Sequence, residues 1–131
     1  YRIVSVDGTQ ITHRYHSSSE SHVDRQGEWS GLEKPLPAGP QAALVFNCYD
    51  APNGSTAQAR MDDRAWQPMP AFPAVSETDK KIGLQMPHHF RLLVETAALG
   101  AGRHTVVARV RWPDGTVVTE QANFRVTANG R

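Results

Sequence analysis

The chain has 131 residues, a length typical of one domain, and a net charge of +1 from 14 basic and 13 acidic residues. This balance carries no electrostatic signature for nucleic acid or an anionic membrane, and no stretch approaches the roughly 20 apolar residues that span a bilayer. The single cysteine, Cys48, excludes an internal disulfide; it lies in an apolar run and is predicted to be a buried hydrophobe.

An N-terminal β-hairpin is predicted over residues 1–16. Alternating apolar residues on both sides of Asp7-Gly8 favour two strands, because this dipeptide accommodates the positive φ angles of a two-residue turn. A hairpin alone is only marginally stable, so we expect it to pack on another surface. The chain begins at Tyr1, within this alternation and without a methionine. We therefore expect a piece of a longer protein, with the hairpin belonging to the end of a preceding domain.

The next segment, residues 17–40, is predicted to be an extended linker. It opens with three consecutive serines and ends in a run rich in proline and glycine, a composition typical of connectors. Trp29 is expected to hold this linker against a neighbouring surface rather than to form a strand.

Residues 41–131 are predicted to form a β-sandwich domain. Residues 41–49 are apolar on both faces, as in a central strand, and residues 56–62 alternate between apolar and polar. A short strand returns at residues 65–67, and prolines exclude a central strand from the irregular stretch that follows. Further alternating segments contain Phe90, Val106 and Val118, and the last two are joined by the turn Pro113-Asp114-Gly115.

About seven short strands with frequent turn signals predict an all-β fold. We expect a two-layer antiparallel β-sandwich of the immunoglobulin or fibronectin-III type, preceded by the hairpin and the linker. His104 follows a leucine and a glycine turn, where such sandwiches carry an aromatic residue at the corner between sheets. It is therefore predicted to be structural rather than an acid, a base or a ligand.

The sequence carries no recognisable catalytic motif. Metal sites need convergent His, Cys or carboxylate ligands, and neither H-x-H, H-E-x-x-H, D-x-H nor C-x-x-C occurs. The nucleophile motif G-x-S-x-G and a phosphate-binding glycine loop before a helix are also missing. Asp62 and Asp63 lie in a polar turn, where adjacent acids are expected to face water. We predict no enzyme, cofactor or metal in this chain, with a metal held by distant loops as the alternative.

The three tryptophans leave two interpretations open. Trp29, Trp66 and Trp112 are candidates for a carbohydrate-stacking platform, or for a patch that docks on another domain. Trp112 is in phase with Val106 and Val110, which favours the core. Docking is the favoured interpretation, because tethered domains need such surfaces.

Three stretches are informative when they are taken together. They are Tyr1-Arg2-Ile3-Val4-Ser5-Val6-Asp7-Gly8 with Tyr15; Phe46-Asn47-Cys48-Tyr49-Asp50 with residues 57–62 and Trp66-Gln67-Pro68-Met69; and His88-His89-Phe90 with residues 99–106 and Asp114-Gly115. Together they resemble the C-terminal domain of secreted bacterial calcineurin-like metallophosphoesterases. The resemblance covers most of the chain, although each motif is short.

The resemblance implies a non-catalytic accessory domain of a periplasmic or secreted enzyme. The family's two-metal centre uses D-x-H, G-D-x-x-D, G-N-H and G-H-x-H motifs, and none of them occurs here. Two divalent metal ions are therefore expected in an upstream catalytic domain, where they bind the phosphate and activate water. That catalytic domain of the same chain is the implied partner.

Six residues are candidates for contact with a neighbouring domain or a ligand: Trp29, Asp50, Asn53, Trp66, His88 and His89. The alternative function is an Ig-like glycan- or surface-binding module of another secreted protein, which the tryptophans support. Neither interpretation includes nucleic acid or a membrane span.

Overall fold

A computed structural model describes residues 2–15, 25–71 and 88–128 of the chain. These residues form ten strands and one short helix, so the fold is all-β, as predicted. The elements are β1 (Arg2–Asp7), β2 (Gln10–Tyr15), β3 (Gly27–Ser30), β4 (Leu36–Pro37), β5 (Ala42–Cys48), β6 (Thr56–Met61), β7 (Gln67–Met69), β8 (His89–Val94), α1 (Thr96–Leu99), β9 (Gly102–Arg111) and β10 (Val117–Thr127).

The predicted N-terminal hairpin is confirmed, with a turn one residue later than expected. Strands β1 and β2 are antiparallel and Asp7 pairs with Gln10, so the two loop residues are Gly8 and Thr9. Gly8 has a φ of +60°, which glycine adopts at no steric cost. A shift of one residue in the loop decides which side chains share a face. Val4, Val6 and Ile11 lie on one face of this hairpin.

The largest sheet has five strands in the order β4-β10-β9-β6-β7. Its neighbours are antiparallel except for the short parallel pair of β4 and β10. The predicted turn between β9 and β10 is confirmed: Gly115 has a φ of +90°, and the Asp114 carboxylate accepts a hydrogen bond from the Thr116 N–H at 2.8 Å. Pro68 lies in β7, at the edge of the sheet, where a missing N–H breaks no ladder.

A second sheet has three strands in the order β3-β5-β8. Strand β5 is central in it, as the run of apolar residues predicts. Side chains from both larger sheets contribute to one buried cluster, including Leu44 and Phe46 from this sheet and Val106, Val110 and Val118 from the five-stranded sheet. Cys48 is fully buried in the same cluster, and burial raises the pKa of its thiol to about 11. It is a core residue, as predicted.

The prediction that residues 25–40 form a linker without strands is wrong. Strand β3 pairs with β5 from Gly27 to Ser30, and Leu36 pairs with Val126 of β10. A Cβ atom at residue 27 would lie 2.7 Å from the Asn47 carbonyl oxygen, so only glycine allows the two strands to approach. This contact joins residues 20 apart in the chain, beyond the reach of a local pattern. Residues 17–24 of the predicted linker lie outside the described residues.

Thr96 ties the connection before β5 to the turn after β8. Its buried hydroxyl donates to the Pro37 carbonyl at 2.8 Å and accepts from the Gly39 N–H at 2.9 Å. Without these bonds, the Gly39 N–H and the Pro37 carbonyl would lose a hydrogen-bond partner in a partly buried place. In the described part of the chain, no helix is long and apolar enough to cross a bilayer.

Candidate functional site

Three of the six candidate residues lie together at one end of the three-stranded sheet. His88 and His89 stand at the start of β8, with ring centroids 5.0 Å apart. The His88 carbonyl accepts a hydrogen bond from the Cys48 N–H at 2.9 Å, which holds this end of β8 beside β5. Asp50 follows β5 in a left-handed conformation, with a φ of +60°. The third motif of the sequence resemblance therefore meets the second one in space.

The electrostatics of this cluster favour the neutral imidazole of His88. Burial lowers the pKa of His88, and the negative charge of Asp50 opposes that shift only in part. Within residues 2–15, 25–71 and 88–128, no group of three or more His, Cys, Asp or Glu side chains is placed to hold a metal ion. The cluster therefore places polar side chains at this end of the three-stranded sheet.

Asn53 lies apart in the turn between β5 and β6. It is exposed, and the turn closes with a hydrogen bond from the Ser55 N–H to the Pro52 carbonyl at 3.2 Å. A Cβ atom at Gly54 would lie 3.4 Å from Pro113, so this turn packs near the β9–β10 turn.

The structure does not bring the three tryptophans to one surface. Trp29 and Trp112 are half-buried and pack against the core, and the Trp29 ring contacts Phe46 at 5.2 Å between centroids. Trp66 instead lies beside the outward side chains of the five-stranded sheet. The Cζ atoms of Arg109 and Arg60 lie 4.0 and 5.0 Å from its ring centroid. A stacking platform built from all three rings is therefore not formed.

A pair that sequence reasoning missed lies at the turn after β6. His104 Nδ1 lies 2.8 Å from a carboxylate oxygen of Asp62, and the other oxygen accepts from the Thr105 N–H at 2.9 Å. The prediction that Asp62 simply faces water is wrong, because its carboxylate bonds to His104 and Thr105 of β9. Asp62 has a left-handed conformation, with a φ of +48°. The prediction that His104 is a structural corner residue fits this geometry.

The bonding of His104 favours its protonated form. Its Nε2 atom lies 3.0 Å from the Gly100 carbonyl, which can only accept, while Nδ1 meets a carboxylate. The hydrogen bond to Asp62 raises the pKa of His104, with burial opposing the shift. Burial pushes the pKa of Asp62 upwards, but the bonds from His104 and Thr105 outweigh it and hold that pKa below its usual value. Because both ring nitrogens donate, His104 has no lone pair left for general-base chemistry.

Comparisons with known proteins give a fold and no family. No protein-family model matches the chain, and no curated protein matches it either. Among solved structures, the chain is similar to the endo-beta-1,4-mannanase from Thermotoga petrophila, with a TM-score of 0.55 and 9% sequence identity. The alignment covers 86% of this chain and 22% of the mannanase chain, so this chain spans about a fifth of the structure that it matches. At this identity, the likeness is one of fold alone.

Proposed function

We propose that this chain is a non-catalytic accessory domain of a secreted or periplasmic calcineurin-like metallophosphoesterase. In this proposal, the hairpin of β1 and β2 packs on the upstream catalytic domain of the same chain. The observation that carries the proposal is the exposed apolar face of the hairpin. Val4, Val6 and Ile11 are 59%, 68% and 69% exposed.

The apolar face of the hairpin would be more stable if another surface covered it, because burying apolar side chains is favourable. Burying most of one such side chain contributes about 1–2 kcal/mol, so the three together favour docking by several kcal/mol. A hairpin of two strands lacks the layer that makes a sheet stable in water. A tethered neighbour supplies that layer without the entropy cost of bringing together two separate molecules.

The proposal includes a sandwich of the immunoglobulin type for the rest of the chain. Its support is the single core to which the three-stranded and five-stranded sheets both contribute. The chain also aligns with only a fifth of a longer enzyme chain, which fits a domain that accompanies others. The catalytic work, with its two divalent metal ions, is assigned to the upstream domain.

The reading frame that precedes Tyr1 tests the proposal first. It should encode a domain with the D-x-H, G-D-x-x-D, G-N-H and G-H-x-H motifs. A frame that encodes any other domain, or none, contradicts the proposal.

Hydrogen exchange then tests the role of the hairpin. Amides of β1 and β2 should exchange at least tenfold more slowly in the full-length protein than in this chain alone. Val4→Thr with Val6→Thr should lower the melting temperature of the full-length protein and leave that of the isolated chain nearly unchanged. Val117→Thr, at an exposed position of β10, is the matched control and should alter neither. Equal exchange in both proteins would show that the hairpin is not the docking element.

A further inference from the structure

The outer face of the five-stranded sheet is strongly basic although the whole chain is nearly neutral. Side chains at alternate positions of β6, β9 and β10 point away from the core, and paired residues share a face. These outward positions include five arginines and no acidic residue: Arg60, Arg103, Arg109, Arg111 and Arg125. We call this set the arginine face. Arg103 and Arg111 lie roughly 26 Å apart along β9, at about 3.3 Å per residue.

Two of these guanidinium groups are held in place before any ligand arrives. Arg109 lies over the Trp66 ring at 4.0 Å, and its Nη2 donates to the Gln58 side-chain oxygen at 2.7 Å. Arg60 lies over the same ring at 5.0 Å. When a guanidinium group stacks on an aromatic ring, N–H groups at its edge can still donate hydrogen bonds to a ligand. These two side chains are already ordered in the free protein. Binding an anion here therefore costs less side-chain conformational entropy.

At the other end of the face, two arginines are placed directly opposite each other. Arg103 of β9 pairs with Arg125 of β10, and like charges in this position destabilise a sheet. Among the described residues, neither one has a carboxylate within ion-pair distance. Both line a groove of about 460 Å³ together with Lys34, and Glu33 is the one acidic residue in its wall. A bound anion would relieve this repulsion.

The groups between the arginines indicate what kind of anion fits. Thr119, Gln121 and Asn123 occupy outward positions of β10, and Gln58 does so on β6. Neutral amides and hydroxyls of this kind bond to hydroxyl groups, while arginine forks bind carboxylates through paired hydrogen bonds. The larger apolar side chains at this face are Val107, Val117 and the single aromatic ring of Trp66. They are fewer than the apolar centre of a protein interface, or the row of aromatic rings that stacks on single-stranded bases, would need.

We propose that the arginine face binds a linear acidic polysaccharide, with carboxylates on the arginines and hydroxyls on the amides between them. The polymer runs along β9, from the groove at Arg103 to Arg111. This surface is separate from the hairpin face, so the inference does not depend on the proposed accessory role.

Binding of polygalacturonate, measured by isothermal titration calorimetry, tests the inference. The chain should bind this polymer, and binding should weaken steeply with added salt because the contacts are ionic. Fully methyl-esterified polygalacturonate keeps the hydroxyls and loses the charges, so it should not bind. Arg103→Gln with Arg125→Gln should weaken binding about tenfold or more, because charge-assisted hydrogen bonds are lost at two sites.

A matched variant removes two charges elsewhere. Arg64→Gln with Arg91→Gln leaves the arginine face intact and should retain affinity within about twofold. Circular dichroism should show that both double variants are folded at the temperature of the binding assay. The inference is overturned if polygalacturonate does not bind, or if both double variants lose affinity equally. It is also overturned if poly-glutamate or duplex DNA binds more tightly than polygalacturonate at the same salt concentration.

Discussion

The pair of His104 and Asp62 gives the sharpest test of how this fold is held together. Asp62→Ala removes two hydrogen bonds that the ionised carboxylate accepts, one of them from the His104 ring, and places alanine in a left-handed conformation. Because the Asp62 side chain is 38% exposed, solvent screening reduces the value of the bonds to about 2 kcal/mol. The backbone strain adds about 1 kcal/mol. We expect a loss of about 3 kcal/mol, which lowers the melting temperature by roughly 10 °C.

Urea unfolding at pH 6, followed by tryptophan fluorescence, measures this loss. Asp62→Asn tolerates the left-handed conformation and still accepts from the Thr105 N–H, so it should cost only about 1 kcal/mol. The neighbouring Asp63→Ala is the control and should stay within about 0.5 kcal/mol of wild type. If Asp62→Ala costs no more than Asp63→Ala, or if a double-mutant cycle with His104→Gln shows no coupling, the reasoning is refuted.

The same pair makes the free energy of unfolding depend on pH, with losses at both high and low pH. The raised pKa of His104 means that its contribution is complete below pH 6.5 and is lost as the pH rises through the folded-state value. The lowered pKa of Asp62 means that its contribution is complete above pH 3.8 and is lost as the pH falls through the folded-state value. The pair should therefore stabilise most between these limits. Above pH 6.5, the stability of Asp62→Asn should fall less with pH than that of the wild type.

Further predictions concern the core and its connections. Thr96→Val should cost about 1–2 kcal/mol in urea unfolding, because the Gly39 N–H loses its acceptor; an unchanged midpoint would contradict this role. Gly27→Ala should destabilise by about 1–3 kcal/mol, because the added methyl group meets the Phe46 ring and a backbone oxygen; wild-type stability would show that β3 is not held so closely. Cys48 should not react with a thiol reagent at pH 8 until denaturant is added, and rapid reaction of the native protein would contradict its burial.

The side-chain contacts of the candidate sites could not be predicted from the sequence, because the residues that form them are distant in the chain. The local context of His104 predicts a corner residue, but its partner Asp62 lies 42 residues away in the chain. The stack of Trp66 with Arg60 and Arg109 likewise needs the pairing of β6 with β9. Outward arginines in alternating strands look like ordinary solvated positions when each strand is taken alone. Only the register of β6, β9 and β10 places five of them on one face of the sheet.

What the amino-acid sequence determined by itself was local. The alternation of Ala57, Ala59 and Met61 with polar neighbours specifies a half-buried strand, because successive side chains leave opposite faces. Turn residues such as Asp114 and Gly115 specify where strands reverse. The tertiary structure alone decided that residues 25–40 supply two strands and that basic side chains gather on one face. Packing over the whole chain decides which strands pair. A short stretch of sequence carries no periodic pattern that identifies its partner strand.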